Sequence, residues 1–333
     1  MAARKSIQHN NALYSNQFSA SLQIAVECGV RWSKNNIVGY RLLLNSRPIH
    51  VGLVIVLISA LTACTTPSPQ SNWIQRFRYN NEEIHPIELG KFGYPYVPAT
   101  IEGTRLLLPF DTGNMVGVSV SPEIFDRLGL TTDGTYIRRD AAGKIVSTLR
   151  MASSANVTIL NRNLERVRIY EINHPSLPGL VGPTSIGGGH ITFDYSSKRM
   201  ALSTSTLPDT VPGFRSIPMI RSSRYPLLIL VYGAIDSRNV LIELDTGKSR
   251  TVINPALTSE LGLKRNPRGV SIENLRIGDL SFEVPSAKEV DQTGIDPTLE
   301  EPILLGMGSD LLSRFVWTVD YEKSVLWIPH SRK

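Results

Sequence analysis

The sequence predicts a mostly β fold built from two similar halves. Short apolar or alternating segments bounded by turn residues recur along the chain, as is typical of strands, and one set of segments recurs in the same order. The tripeptide Asp-Thr-Gly begins at Asp111 and again at Asp245, 134 residues later. Each copy follows an apolar run, LLLPFD or VLIELD, that suits a buried strand ending at the acid. A lone Asp-Thr-Gly also suits an ordinary turn, so the residues around each copy must decide between a turn and a functional site.

These surroundings are repeated as well. Two Pro-led segments that predict one or two helical turns correspond, SPEIFDRLGL and NPALTSELGL. Further matches are the short strands ANVTIL and ENLRIG, the segments GLVG and ILLG, and the hairpins ITFDYSSKRMALS and WTVDYEKSVLWI. Tyr94-Pro95 precedes the first copy and Tyr225-Pro226 the second. Landmarks in the same order indicate a duplicated domain.

Charge is concentrated at the N-terminus. The chain of 333 residues has a formal net charge of +6, and residues 1–64 carry six basic residues against Glu27. The remainder is close to neutral, so no basic face for nucleic acid is implied.

An apolar run of eleven residues, Val51–Leu61, explains part of this distribution. It is too short to span a bilayer as a helix but suits the apolar region of a secretory signal. The run ends in LTAC, which resembles a bacterial lipobox, and this resemblance implies a lipidated Cys64. Residues 1–64 are then an extension plus signal peptide and 65–89 a tether; Thr65 after the cysteine favours an outer-membrane location facing the periplasm. A buried strand or short helix with an incidental cysteine is the alternative.

Cofactor chemistry finds no support in the sequence. The two cysteines, Cys28 and Cys64, leave the region after residue 64 without an internal disulfide or a cysteine-based metal site. The six histidines lack metal-ligand spacing, and the glycines of SIGGGH lack the spacing of a nucleotide site. We expect neither a metal nor a cofactor.

The doubled motif resembles the pepsin/retropepsin superfamily of aspartic proteases over about residues 90–330. The resemblance implies two pseudo-symmetric, partly closed barrel lobes, residues 90–205 and 206–330, with a cleft between them. It implies that Asp111 and Asp245 are the catalytic pair. It implies supporting roles for five further residues. Thr112 and Thr246 would hydrogen-bond across the lobe interface, Gly113 and Gly247 would offer close backbone N–H groups, and the Ser249 hydroxyl would bind a carboxylate.

The chemistry gives a reason for two copies. Hydrolysis of a peptide bond without a covalent intermediate needs one group that takes a proton from water and one that gives a proton to the carbonyl oxygen. Two adjacent carboxylates share one proton and divide these roles.

A hairpin is predicted in the first half only. The spacing of matched residues falls from 133 to 118 between the Leu-Gly-Leu segment and the next strand, so the first half has fifteen additional residues. They include TYIRRDAAGKIVSTLRM, two β-prone runs joined by a turn. In pepsin-like enzymes one hairpin of the first lobe covers the substrate, and the resemblance implies that 137–146 is this flap, with Tyr136 on it and its tip near Ala142 and Gly143. The alternative is a surface hairpin without a role.

Several residues depart from the family pattern. Lys248 replaces a small residue, and the first copy has Asn114 and Met115 where a small residue and a hydroxyl residue are usual. The Asn114 amide is a candidate replacement for the hydroxyl. We expect Lys248 to point to solvent; pointing towards the aspartates, it would lower their pKa values. Glu243 shares a strand face with Asp245 and is expected either to perturb the pair or to bind Arg250.

Two functional classes follow. One is an envelope-anchored aspartic endopeptidase that acts on peptides or unfolded protein with an active site within one chain. The other is a lipoprotein that keeps the fold and binds peptides or a partner protein without cutting.

Overall fold

The computed structural model describes residues 72–140 and 143–330, which belong to a compact unit spanning Thr65–Lys333. Strands dominate, which confirms the predicted mostly β class. The predicted lipidation site Cys64, the tether up to residue 71, and Ala142 lie outside the described residues.

The strands up to residue 203 are β1 (Ile84–Pro86), β2 (Glu88–Leu89), β3 (Pro95–Ile101), β4 (Thr104–Pro109), β5 (Val118–Val120), β6 (Gly134–Arg139), β7 (Ile145–Ile159), β8 (Arg162–Glu171), β9 (Gly179–Val181), β10 (His190–Asp194) and β11 (Arg199–Ser203). The later strands are β12 (Phe214–Pro218), β13 (Leu230–Ile235), β14 (Arg238–Leu244), β15 (Val252–Ile253), β16 (Arg265–Asn266), β17 (Gly269–Ile277), β18 (Leu280–Glu289), β19 (Ile303–Met307), β20 (Trp317–Asp320) and β21 (Val325–Pro329). The α-helices are α1 (Trp73–Arg76), α2 (Pro122–Arg127), α3 (Pro255–Glu260) and α4 (Ser309–Leu312).

A six-stranded sheet joins the two halves of the sequence. Its order is β1-β11-β10-β20-β21-β12, and the central antiparallel pair β10–β20 runs from His190 opposite Asp320 to Phe193 opposite Trp317. The rings of Phe193 and Trp317 stack with centroids 4.3 Å apart and are fully buried. These rings belong to one buried apolar cluster with residues of both halves, and such aromatic pairs add stability beyond the area they bury, so the two halves share a core.

Each half also forms a sheet of its own. β2 to β9 form an eight-stranded sheet, and β13 to β19 form a seven-stranded sheet. Strand β5 pairs parallel with β8 and antiparallel with β9; β15 pairs parallel with β18 and antiparallel with β19. The strands β5 and β15, which follow the two Asp-Thr-Gly loops, therefore have equivalent partners and directions in both halves.

The two Pro-led segments form the predicted helical turns. In α2, the Ser121 hydroxyl accepts the N–H of Ile124, and in α3 the Asn254 side chain accepts the N–H of Ala256. Proline occupies the first turn of both helices, where its missing N–H costs no hydrogen bond.

The hairpin predicted in the first half is confirmed as a structural element. Strands β6 and β7 pair antiparallel from Gly134 opposite Met151 to Arg139 opposite Ile145. The turn is closed by the backbone N–H of Asp140, which donates to the carbonyl of Lys144 at 2.9 Å.

Candidate functional site

The two Asp-Thr-Gly loops meet where the halves join. Strands β4 and β14 deliver Asp111 and Asp245, as their apolar approach predicts. The backbone N–H of Asp111 donates to the carbonyl of Val181 at 2.8 Å, and that of Asp245 donates to the carbonyl of Met307 at 3.0 Å. Val181 lies within GLVG and Met307 directly follows ILLG, so the matched segments hold the two loops through neighbouring but not identical positions.

Two threonines hydrogen-bond across the junction. The Thr112 hydroxyl accepts the N–H of Thr246 at 3.0 Å and donates to the carbonyl of Leu244 at 2.9 Å. The Thr246 hydroxyl accepts the N–H of Thr112 at 3.0 Å and donates to the carbonyl of Phe110 at 2.5 Å. Both threonines are fully buried, so these four bonds lie in a water-free environment where they fix the relative position of the loops.

The glycines allow the loops to interlock. The N–H of Gly113 donates to Oδ1 of Asp111, and the N–H of Gly247 donates to Oδ1 of Asp245, both at 2.8 Å. A Cβ atom on Gly113 would lie 2.6 Å from Oδ2 of Asp245, and one on Gly247 would lie closer still to the Asp111 carboxyl. Each glycine thus makes room for the aspartate of the other half, and the two carboxyl groups lie close enough to shift each other's pKa.

The two aspartates differ in acidity. Burial and the neighbouring Asp245 charge raise the pKa of the Asp111 carboxyl well above its ordinary value. Burial acts to raise the pKa of Asp245 as well, but the Lys248 ammonium, together with hydrogen bonds from Asp111 and the Gly247 N–H, outweighs it and holds that pKa below the ordinary value. One carboxyl therefore keeps a proton while the other is ionised, so the pair can give one proton and take another.

Lys248 does not point to solvent, so that expectation is wrong. Its ammonium binds Oε2 of Glu243 at 2.6 Å and also binds Oδ2 of Asp245. Glu243 is 2% exposed and pairs with Lys248 rather than with Arg250. The guanidinium of Arg250 donates instead to the backbone carbonyls of Arg268 and Ser286. A buried carboxylate needs a close cation, and the lysine of its own loop is nearest.

Three further residues near the aspartates, Asn114, Met115 and Ser249, contact other groups than the carboxyls. The Asn114 amide donates to the carbonyl of Gly117 at 2.9 Å, within its own loop, and does not serve Asp111. Met115 packs against the apolar cluster around Leu228 in the second half. The Ser249 hydroxyl hydrogen-bonds to the Tyr94 phenol, whereas Oδ2 of Asp245 is bound by Lys248.

Tyr94 is a site residue that the sequence did not predict. Burial raises the pKa of its phenol, and the charges of Asp111 and Asp245 both act on it. The preceding residue, Gly93, has a φ of +77° and lies against Ser309 of the second half. The repeated Tyr-Pro pair is the sequence signal for it, although by itself that pair indicates only the duplication.

The hairpin reaches from the first half to the second. Tyr136 packs edge-on against Tyr170 with ring centroids 5.2 Å apart, and burial together with the nearby Tyr225 phenol raises its pKa. At the turn, a Cβ atom on Gly143 would lie 3.7 Å from the backbone of Gly294. The hairpin therefore bridges the halves.

Other kinds of site find little support. Within residues 72–140 and 143–330, no group of three or more His, Cys, Asp or Glu side chains could hold a metal ion. Two surface depressions lie apart from the aspartates, and their lining includes His174 in one and Arg314 in the other. In that same part of the chain, no helix is both long enough and apolar enough to cross a membrane.

Comparison of the sequence with protein-family models finds no matching family, and a search of curated proteins finds no match. The interpretation of the site therefore depends on its geometry and on the internal repeat.

Proposed function

We propose that this chain is an aspartic endopeptidase with two pseudo-symmetric, acid-protease-type barrel lobes, about residues 90–205 and 206–330. The equivalent strand partners of β5 and β15 support the two-lobed arrangement. The equivalent positions of Asp111 and Asp245, each just after a strand whose last residues are buried, support a shared active site.

A single observation carries the proposal: two carboxyl groups, one from each half, are held beside each other by reciprocal glycine and threonine contacts. An ordinary turn has no need for a buried like-charge pair, which costs free energy unless the two groups share a proton. Acid-base catalysis, in contrast, requires such a pair, because one protonated and one ionised group must lie at the same place.

The proposed mechanism uses these two states directly. The Asp245 carboxylate takes a proton from a water molecule, whose oxygen attacks the peptide carbonyl carbon, while the Asp111 carboxyl gives its proton to the carbonyl oxygen. The tetrahedral diol then collapses: Asp245 passes its proton to the leaving nitrogen, the C–N bond breaks, and Asp111 recovers a proton from a diol hydroxyl. Both carboxyls end as they began, so no further reactant is consumed.

The hairpin of β6 and β7 is proposed to be the flap over the substrate. It belongs to the first half and its turn lies beside Gly294 of the second half, so a peptide beneath it would contact both halves. Extended peptides bind such β-rich surfaces by backbone pairing. The substrate is therefore proposed to be a peptide or an unfolded segment of protein.

The proposed location is the bacterial cell envelope. Acylation of Cys64 would attach the chain to the outer membrane facing the periplasm. Only the part of the predicted tether before Trp73 would give it reach, because Trp73, Phe77 and Tyr79 pack in the core. This part of the proposal depends on the sequence of residues 47–70 alone.

One observation favours a second function, peptide binding without cleavage. The Lys248 ammonium occupies one carboxylate oxygen of Asp245, and an ion pair at this position could quench the base. Such a protein would bind peptides saturably and turn over none.

The test is digestion of a peptide library between pH 3 and 8 by the full-length chain and by Asp111→Asn and Asp245→Asn. We expect each variant to lose at least about a hundredfold in cleavage rate, because each removes one partner of the proton exchange. The matched control is Asp236→Asn, an exposed turn residue with a φ of +52° that asparagine tolerates; it should cleave like the wild type.

The outcomes separate the two functions. Cleavage by the wild type and its loss in both site variants support the endopeptidase. Saturable peptide binding without products at any pH supports the binder, and cleavage that survives in Asp245→Asn contradicts the proposed mechanism.

A further inference from the structure

The aspartate pair is flanked by a charged bridge on one side only. The Lys248 ammonium lies between the carboxylates of Glu243 and Asp245, and its side chain is 20% exposed. Its Cε is packed close above Gly306, beside the buried side chain of Gln292. Glu243 and the packing of the stem together hold the ammonium on Oδ2 of Asp245.

The first half has no such bridge at the equivalent position. Asn114 follows Gly113 as Lys248 follows Gly247, but its amide is bonded to the Gly117 carbonyl. An otherwise symmetric pair thus has a cation against one carboxylate only. The charged and titratable groups that act on Asp245 are Asp111, Lys248, Glu243, Tyr94 and Tyr195; those that act on Asp111 include Asp245, Lys248 and Tyr94.

We propose that Lys248, held in place by Glu243, is a positioning residue that assigns the two roles: it keeps Asp245 as the proton acceptor and leaves the shared proton on Asp111. This inference rests on the proposed endopeptidase function. A unit positive charge in direct contact stabilises the ionised form of the carboxylate it touches far more than that of one further away. In a buried site this difference decides which of two like groups is ionised.

The sign of the effect makes the role testable. The acidic limb of the pH profile of kcat/KM reports protonation of the general base in the free enzyme. Removing the cation from Asp245 makes that carboxylate easier to protonate, so the acidic limb should move to higher pH. Removing the negative charge of Glu243 leaves the cation on Asp245 alone, so the limb should stay or move to lower pH.

The experiment compares kcat/KM on one cleaved peptide from pH 2.5 to 8 for the wild type, Lys248→Met, Lys248→Arg and Glu243→Gln. We expect the acidic limb of Lys248→Met to lie about 1–2 pH units above that of the wild type. The acidic limb of Lys248→Arg, which keeps the cation, should coincide with that of the wild type. Lys264→Met is the matched control, because Lys264 is 85% exposed. If Lys248→Met does not fold with Glu243 left unpaired, Glu243→Gln/Lys248→Met removes both charges; its acidic limb should lie at higher pH than that of Glu243→Gln alone.

A purely structural bridge would behave differently. Removing either partner of the ion pair would then loosen the loop to the same extent. An equal shift of the acidic limb in Lys248→Met and Glu243→Gln, or no shift in either, therefore overturns the inference.

A readout that needs no activity separates this inference from the proposed function. With 13C-labelled aspartate, the carboxyl resonance of Asp245 should titrate at higher pH in Lys248→Met than in the wild type, while the Asp111 resonance titrates above both. Failure of the wild type to cleave any peptide would defeat the endopeptidase proposal alone. Unchanged carboxyl titrations would defeat the role of Lys248 alone.

Discussion

The threonine side chains show how single residues position the site. Both hydroxyls of Thr112 and Thr246 act as donor and acceptor at once, and no water is needed to satisfy them. Glycine contributes by the absence of a side chain, because any Cβ at Gly113 or Gly247 would collide with the opposite carboxyl. The position of each aspartate therefore depends on residues of the other half.

Replacing Thr112 by valine is expected to destabilise the fold. Valine has nearly the same shape but leaves the buried N–H of Thr246 and carbonyl of Leu244 without partners, at about 1–3 kcal/mol each. We expect a loss of about 2–5 kcal/mol in the free energy of unfolding, measured with urea. Thr112→Ser keeps the hydroxyl and should lose only about 1 kcal/mol. Equal losses in the two variants would show that the hydrogen bonds contribute little.

Individual residues also show what the sequence could and could not predict. The repeat predicted two equivalent Asp-Thr-Gly loops, whereas the meeting of Asp111 and Asp245 was implied by the family resemblance that the doubled motif carries. The orientation of Lys248 was predicted wrongly because a long, flexible side chain carries no periodic signal, and its partner Glu243 is brought near only by the fold. Tyr94 was missed for a related reason: its contact with Ser249 joins residues of different halves.

Among the elements, the hairpin of β6 and β7 is the one that local sequence predicted best. Its two β-prone runs and its turn lie within seventeen consecutive residues, so their pairing needs no distant partner. Helices α2 and α3 were likewise predictable from Ser or Asn followed by proline. The six-stranded sheet was not predicted, because β10 and β20 are far apart in sequence and no local pattern specifies their pairing.

Shortening the hairpin should separate activity from stability. If residues 138–145 are replaced by Asn-Gly, which favours a tight hairpin turn, peptide cleavage should be lost while Tm changes by no more than about 3 °C, since Ile137 and Ile145 are about half exposed. The control replaces Glu102-Gly103, the turn between β3 and β4, by Asn-Gly; both native residues have positive φ. Retained cleavage after shortening would count against the flap.

At the scale of the whole molecule, the junction of the halves contains a buried histidine. His190 lies on β10, 2% exposed, with its ring 5.1 Å from that of Tyr79. Burial lowers the pKa of His190 to about 4, against opposing effects of Asp320 and Glu83 and with a smaller contribution from Arg162. The folded chain therefore keeps this ring neutral well into the acidic range.

This burial predicts a stability that declines with acidification. Between pH 6.5, the ordinary pKa, and about pH 4 the unfolded chain binds a proton that the folded chain does not. The free energy of unfolding should thus fall by about 3 kcal/mol as the pH is lowered through this window, and no further below it from this residue. Urea unfolding at several pH values measures the slope.

His190→Phe should flatten that slope, because phenylalanine keeps the packing against Tyr79 and cannot be protonated. Part of the slope should remain, since burial also lowers the pKa of His85. His174→Phe, at the surface, is the control and should leave the slope unchanged. An identical slope in wild type and His190→Phe would assign the acid sensitivity to other groups.

The continuous pairing of β10 with β20 also limits how the molecule can move. Rotating one half against the other would break ladder hydrogen bonds and separate the stacked rings of Phe193 and Trp317. Hinge bending at this junction is therefore costly, so under the proposed function a peptide would enter and leave by displacement of the β6–β7 segment. The turnover rate would then depend on how often the β6–β7 segment is displaced. Solvent viscosity and temperature should therefore affect product release more than cleavage of the peptide bond.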